Sequence, residues 1–196
     1  ATGVDRRNIR AFNHNDMDSL EKTLKKVNEV REKGVIVLTE GVYGMTGDVA
    51  KLKEITWLKD KYEARLFVDD AHGVGVMGET GRGTGEYCGV QDKIDIYFAT
   101  FAKAFASIGG FSASNKEVVE WIRYNARTQV FAKSLPMIYV RSLKKTLELV
   151  INGQDRRRRL FEVSRKLSRG LRELGFFVGN VESPIVPVFV PLGDMR

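Results

Sequence analysis

The apolar positions fall into short runs with two different periods. Met17, Leu20, Leu24, Val27 and Val30 recur at helical spacing behind Asp16 and Asp18. Either acid can cap that helix, and Gly34 would end it. Val35-Ile36-Val37-Leu38 is apolar throughout and reads as a fully buried strand of the parallel kind. A glycine-containing loop spans 40–48. A helix starting at Asp48 would then bury Leu52, Ile55 and Leu58. A strand over 65–68 follows. Residues 73–89, GVGVMGETGRGTGEYCG, predict a long ordered loop. Each glycine costs a regular helix about 1 kcal/mol relative to alanine. Next come strands over 94–98 and near 110–113, a helix over 116–124, and a helix that Pro136 opens and that runs to about 151. Asn152-Gly153 breaks the pattern. A basic helix over 155–174, closed by Gly175, and two short strands over 176–178 and 185–189 complete the chain.

Strand–helix alternation up to residue 150 predicts an α/β fold, a mostly parallel sheet with helices on both faces. We assign 1–152 to part of a large domain and 153–196 to the beginning of a smaller α+β domain. The opening Ala1-Thr2-Gly3-Val4-Asp5 lacks an initiator Met and reads like mid-chain sequence. A segment of a longer protein is expected.

Two of the runs end abruptly in reactive side chains. Arg65-Leu66-Phe67-Val68 leads into Asp69-Asp70-Ala71-His72-Gly73, and Ile96-Tyr97-Phe98-Ala99 leads into Thr100-Phe101-Ala102-Lys103. In an open α/β sheet, ligands bind outside the carboxyl ends of the strands. If both runs belong to one parallel sheet, Asp69, His72, Thr100 and Lys103 meet at that edge. A carboxylate, an imidazole, a hydroxyl and an amine in one place fit pyridoxal phosphate. The acid would counter a protonated pyridine nitrogen and make the ring an electron sink. Lys103 lies in the apolar setting Phe101-Ala102-Lys103-Ala104-Phe105, where desolvation would free its amine for Schiff-base chemistry. Glu40, in Glu40-Gly41-Val42-Tyr43-Gly44-Met45, follows another buried run and is expected at the same edge. Ser134, before Pro136, is a candidate helix cap, and His14 reads as a turn residue.

Composition narrows the alternatives. The 196 residues, 43% hydrophobic and 29% charged, suit a globular protein with a real core. A single cysteine, Cys88, rules out an internal disulfide and fits a reducing, cytoplasmic setting. One Cys and two His give too few ligands for a structural zinc, and no metal site is expected. No apolar run approaches the ~18 residues of a membrane span; the longest, over 185–192, is broken by Pro187 and Pro191. Net charge is +7, and from Arg141 onward 12 basic side chains face 6 acidic ones. Such a face can attract anionic partners, so peripheral membrane contact stays open. The plainer reading is a solvated helix surface on which Arg156, Arg157, Arg158 and Arg159 point in different directions. No aromatic-interleaved basic motif supports nucleic-acid binding. Gly73-Val74-Gly75-Val76-Met77-Gly78 is a literal GxGxxG, but Glu79-Thr80-Gly81-Arg82-Gly83 follows where a dinucleotide site needs a helix to open at once.

VDDAHGVGVMGETGRGTGEYCG followed by TFAKAFASIGGF closely resembles the α-oxoamine synthases, pyridoxal-phosphate enzymes of fold type I. The resemblance runs from FNHNDMDSLE to SPIVPV. The stretch from TFAKAFASIGGF through YNARTQVFAKSLP looks most like the bacterial serine palmitoyltransferases, while GRGTGEYCGV and KEVVEWIR also look like glycine C-acetyltransferase. The resemblance implies decarboxylative condensation of an amino acid, serine, with a long-chain acyl-CoA to a 3-keto sphingoid base. Glycine C-acetyltransferase or 8-amino-7-oxononanoate synthase chemistry is the alternative. A non-catalytic partner subunit is the other class, and Lys103 speaks against it.

The same resemblance implies roles for single residues. Lys103 would hold the cofactor and move the α-proton. Asp69 would pair with the pyridinium nitrogen, His72 would hydrogen-bond the phenolic oxygen, and Thr100 would contact the phosphate. Glu40 would lie in the substrate loop, in which Gly44 stands where many members have serine. Ser134 would reach the phosphate held by the partner subunit of a homodimer. The family's ring-stacking histidine and carboxylate-binding arginine fall outside this stretch.

Overall fold

The computed structural model describes residues 5–189. The opening at 1–4 and the end of the 185–192 run lie outside it. Helix α1 (Met17–Val30) is capped by Asp16, whose carboxylate accepts from the Ser19 N–H at 3.0 Å. Leu20 and Leu24 are its buried residues. It ends at Arg31, short of Gly34, because the polar stretch that follows has no face to bury.

Strand β1 (Ile36–Glu40), helix α2 (Leu52–Lys61) and strand β2 (Arg65–Asp69) form a βαβ unit. α2 begins four residues later than the expected Asp48. That carboxylate is taken up by the His14 ring at 2.8 Å and by Thr46, so it cannot cap a helix. The glycine-rich segment is a series of turns, corrected by one short helix, α3 (Thr84–Cys88). Gly83 and Gly89 flank this helix at φ of 106° and 69°, so they bound it and do not interrupt it. Strands β3 (Ile96–Thr100) and β4 (Gly110–Ala113) follow, then α4 (Lys116–Asn125), α5 (Arg127–Val130), α6 (Met137–Ile151) and α7 (Gln154–Glu173).

The sheet has the order β1-β2-β3-β4. The first three strands are parallel and β4 is antiparallel to β3. The fold is therefore α/β with a mostly parallel sheet, as expected. The strands are not buried on both sides, however. In β1, Val37 and Thr39 are buried while Ile36 and Leu38 are exposed. The register sets Leu38 beside Phe67 and Glu40 beside Asp69. One face thus carries Val37, Leu66, Val68, Tyr97 and Ala99, packed in two clusters with residues of α1, α2, the glycine-rich segment and α6. Leu52, Ile55, Leu66 and Val68 form its driest part, all fully buried. Burying such aliphatic side chains contributes roughly 1.5 to 3 kcal/mol each. The other face carries Ile36, Leu38, Phe67 and Phe98, and no packed cluster covers it among the described residues.

The basic helix α7 packs against the rest of the chain. Arg157 is buried, its guanidinium donating to the Val150 and Glu79 carbonyls at 2.5 and 2.6 Å. Arg156, Arg158 and Arg159 are exposed. The two strands expected over 176–178 and 185–189 do not form. One bond, from the Phe189 N–H to the Phe177 carbonyl at 3.1 Å, joins these segments. Pro184 and Pro187 have no N–H with which to extend it. Glu182 instead accepts from the Val49 N–H at 2.8 Å, and Ser183 donates to the Gly47 carbonyl at 2.7 Å. The far end of the chain thereby grips the loop after β1.

Candidate active site

The carboxyl ends of β1, β2 and β3 point the same way, which brings Glu40, Asp69, His72, Thr100 and Lys103 to one edge of the sheet. Asp69 ends β2 on the open face, and its Oδ1 accepts from the Ala71 N–H at 3.1 Å. That bond turns the chain so that His72 leaves the strand tip beside the loop after β1. Partial burial lowers the His72 pKa below the ordinary imidazole value. The Lys103 charge lowers it further, while Glu40 and Asp69 oppose the shift. The Lys103 amine and the Glu40 and Asp69 carboxylates thus all act on this one imidazole.

The loop after β1 is closed by Glu40, whose Oε2 accepts from the Gly44 N–H at 3.1 Å. A Cβ added at Gly44 would lie 2.5 Å from His72 Nε2. The missing side chain is what lets the imidazole seat against this loop. Thr100 spans the turn after β3: its Oγ1 accepts from the Ala102 N–H at 3.2 Å and donates to the Gly109 carbonyl at 3.1 Å. Lys103 sits in that turn.

Two expectations change. Lys103 is exposed, as are Ala102 and Ala104, so the apolar residues beside it do not desolvate the amine; of its flank only Phe105 is buried. Ser134 caps no helix, because α6 begins after Pro136 without a side-chain cap. Ser134 is exposed and makes no hydrogen bond among the described residues, and its neighbour Leu135 packs on Gly109.

Asp70, Thr84 and Tyr97 are not among the expected site residues, and His14 and Asp48, expected as a turn residue and a helix start, pair instead. Asp70 is fully buried and takes three hydrogen bonds from Thr84 and Tyr97. Burial raises its pKa, and the three donors reduce the shift without cancelling it. The signal for it was the acidic doublet. Neighbouring strand residues face opposite sides, so two adjacent acids cannot both serve the open face. His14 also stacks edge-on against Tyr43 at 4.3 Å between centroids, and the two flank a cavity of about 530 Å³ beside Leu38, Phe67 and Asp69. Among the described residues no cluster of His, Cys, Asp and Glu could hold a metal ion, and no helix is long and apolar enough to cross a membrane.

The class that the fold and the site define is an open, mostly parallel α/β sheet with an acid, an imidazole and an amine at its strand tips. The chain belongs to the aminotransferase class I and II family, whose model matches residues 2–192. It is 49% identical to the cysteate-C-fatty acyltransferase of Capnocytophaga ochracea, over 91% of this chain and 43% of that protein. It is 42% identical to the serine palmitoyltransferase of Bacteroides thetaiotaomicron, over 91% of this chain and 45% of that one. A solved serine palmitoyltransferase variant from S. paucimobilis, with a bound PLP–myriocin aldimine, superposes with a TM-score of 0.86 at 35% identity, covering 92% of this chain and 47% of that one. These relatives are the α-oxoamine synthases that the sequence resembles. The chain spans less than half the length of the proteins it matches.

Proposed function

We propose that this chain forms the central part of a pyridoxal-phosphate-dependent acyltransferase that condenses a small polar amino acid with a fatty acyl thioester and releases carbon dioxide. The carrying observation is that parallel strand ends bring Glu40, Asp69, His72, Thr100 and Lys103 to one carboxyl edge of the sheet. The donor set fits the cofactor: a carboxylate for the ring nitrogen, a neutral imidazole for the phenolic oxygen, a hydroxyl for the phosphate and an amine for the carbonyl carbon. When bound, pyridoxal phosphate supplies an electron-poor ring that takes up the electron pair left on the amino acid's α-carbon.

The protein's own part is to bind, orient and move protons. Asp69, held by the Ala71 N–H, keeps a negative charge at the strand tip for the pyridinium. The lowered pKa of His72 favours the uncharged ring, which can donate one hydrogen bond without adding a competing positive charge. Thr100, fixed within its turn, offers its hydroxyl to the phosphate. Lys103 would hold the cofactor through its amine and, once free of it, would take the α-proton as general base. Glu40 orders the loop that faces the amino acid. Ser134, exposed and unbonded, serves the phosphate site of the partner subunit in a homodimer.

Serine is the amino acid that the resemblance of the central stretch favours. The higher identity to the cysteate enzyme, 49% against 42% for the serine enzyme, favours a second reading in which the amino acid carries a sulfonate. Visible absorption spectra of the full-length protein with serine, cysteate and glycine separate the readings. The true substrate shifts the cofactor band at low concentration and the others do not. Borohydride reduction followed by peptide mapping tests the site. A pyridoxyl label on Lys103 is expected, and a label elsewhere overturns the assignment.

A further inference from the structure

Asp70 stands one residue from Asp69 and two from His72, yet its side chain lies on the opposite, packed side of the sheet. Its Oδ2 accepts from the Thr84 N–H at 2.8 Å and from the Tyr97 hydroxyl at 2.7 Å, and its Oδ1 accepts from the Thr84 hydroxyl at 2.6 Å. No cation pairs with it among the described residues. Three loops close over the carboxylate. A Cβ added at Gly41, after β1, at Gly73, after β2, or at Gly83, before α3, would overlap its atoms.

The Asp70 backbone is as firmly held as its side chain. Its N–H donates to the Phe98 carbonyl at 2.8 Å, and its carbonyl accepts from the Gly73 and Val74 N–H groups, each at 3.0 Å. The turn that carries His72 is therefore fixed at both of its ends through one residue.

A buried carboxylate without a cation is expensive, and apolar replacements of buried charge are often neutral or stabilising. A core needing only stability has cheaper solutions. What the network supplies is one geometry, because its three donors come from two different elements, β3 and the start of α3. We propose that Asp70 is a positioning residue of the site: gripped by Thr84 and Tyr97, it sets the direction in which Asp69 and His72 leave the end of β2. This rests on the reading that those two side chains hold pyridoxal phosphate.

The test uses the full-length protein. In Asp70→Asn the carbonyl oxygen keeps the Thr84 N–H and Tyr97 bonds, and the Thr84 hydroxyl turns to accept from the new amide. Geometry is preserved and only charge is lost. The double variant Thr84→Val with Tyr97→Phe keeps the charge and both side-chain shapes but removes two of the three donors. We expect the double variant to bind pyridoxal phosphate about tenfold more weakly, the loss that two modest hydrogen bonds amount to. The pH midpoint of its visible band should move and its kcat should fall, while Asp70→Asn stays close to the unsubstituted protein in all three.

A double variant that melts earlier yet keeps the unsubstituted band, midpoint and kcat makes the network merely structural and overturns the proposal. So does an Asp70→Asn variant as impaired as the double one, which would assign the effect to charge. An unsubstituted protein with no visible band overturns the cofactor reading itself, a different result from a normal band that ignores the substitutions.

Discussion

His72 is the residue on which the site's charges act. Desolvation lowers its pKa and the Lys103 charge lowers it further, so the folded chain binds this proton less readily than the unfolded one. The sign follows. His72 costs no stability above the ordinary imidazole range and an increasing amount as pH falls through it. A ring-proton NMR titration of the cofactor-free protein should show His72 titrating below the ordinary imidazole value. Lys103→Met should raise the His72 pKa only part of the way, because burial is the larger cause. Gly44 makes a second residue-scale case. A serine there would put its Cβ within 2.5 Å of His72 Nε2 and displace the imidazole. Gly44→Ser should weaken pyridoxal-phosphate binding by about tenfold, the low end of losing one charge-assisted hydrogen bond, measured by equilibrium titration of the visible band.

At the scale of elements, Asp95 ties the sheet's two central strands to α2. Its carboxylate accepts from Lys59 Nζ at 2.7 Å, the Leu66 N–H at 2.8 Å and Arg65 at 3.0 Å. Burial works against its ionised form, yet these donors outweigh it and hold the carboxyl below its ordinary value. Asp95 therefore contributes stability that is present above the ordinary carboxylate range and lost as pH falls through it. Asp95→Ala leaves Lys59, which is buried, without its closer partner and should cost about 3 to 5 kcal/mol in urea unfolding at neutral pH, with the gap narrowing on acidification.

The elements themselves were largely legible in the sequence. Period-3.6 runs and Asp16 marked α1, glycine breaks bounded α7, and apolar runs ending in polar clusters gave the strands and therefore the edge where Asp69, His72, Thr100 and Lys103 meet. Asp48 misled because a carboxylate that suits a cap also suits a histidine thirty-odd residues away in sequence, and only the fold decides between them. The strands over 176–178 and 185–189 misled because apolar alternation says nothing about whether a partner with free N–H groups lies alongside. The Asp70 network was illegible for a related reason: Thr84 reaches it from the start of α3 and Tyr97 from β3, 14 and 27 residues away along the chain.

At the scale of the molecule, the packed clusters and the chemistry lie on opposite sides of the sheet. Asp69 shares its face with Ile36 and Leu38, which are 54% and 64% exposed, and with the stacked rings of Phe67 and Phe98. Contiguous exposed apolar surface of this kind is covered in working proteins, and Lys103 stands on the same uncovered edge without the desolvation that Schiff-base chemistry uses. The matched relatives are more than twice as long as this chain. These 196 residues expressed alone should therefore bind a hydrophobic dye such as ANS and leave serine, cysteate and fatty acyl thioesters unchanged. A chain extended to the length of the matched relatives should exclude the dye and, under the proposed function, carry out the condensation. Thioester consumption and carbon dioxide release by the 196-residue segment alone would show that its own residues suffice to desolvate the amine, and would move the origin of reactivity from the covering of this face to the Lys103 turn itself.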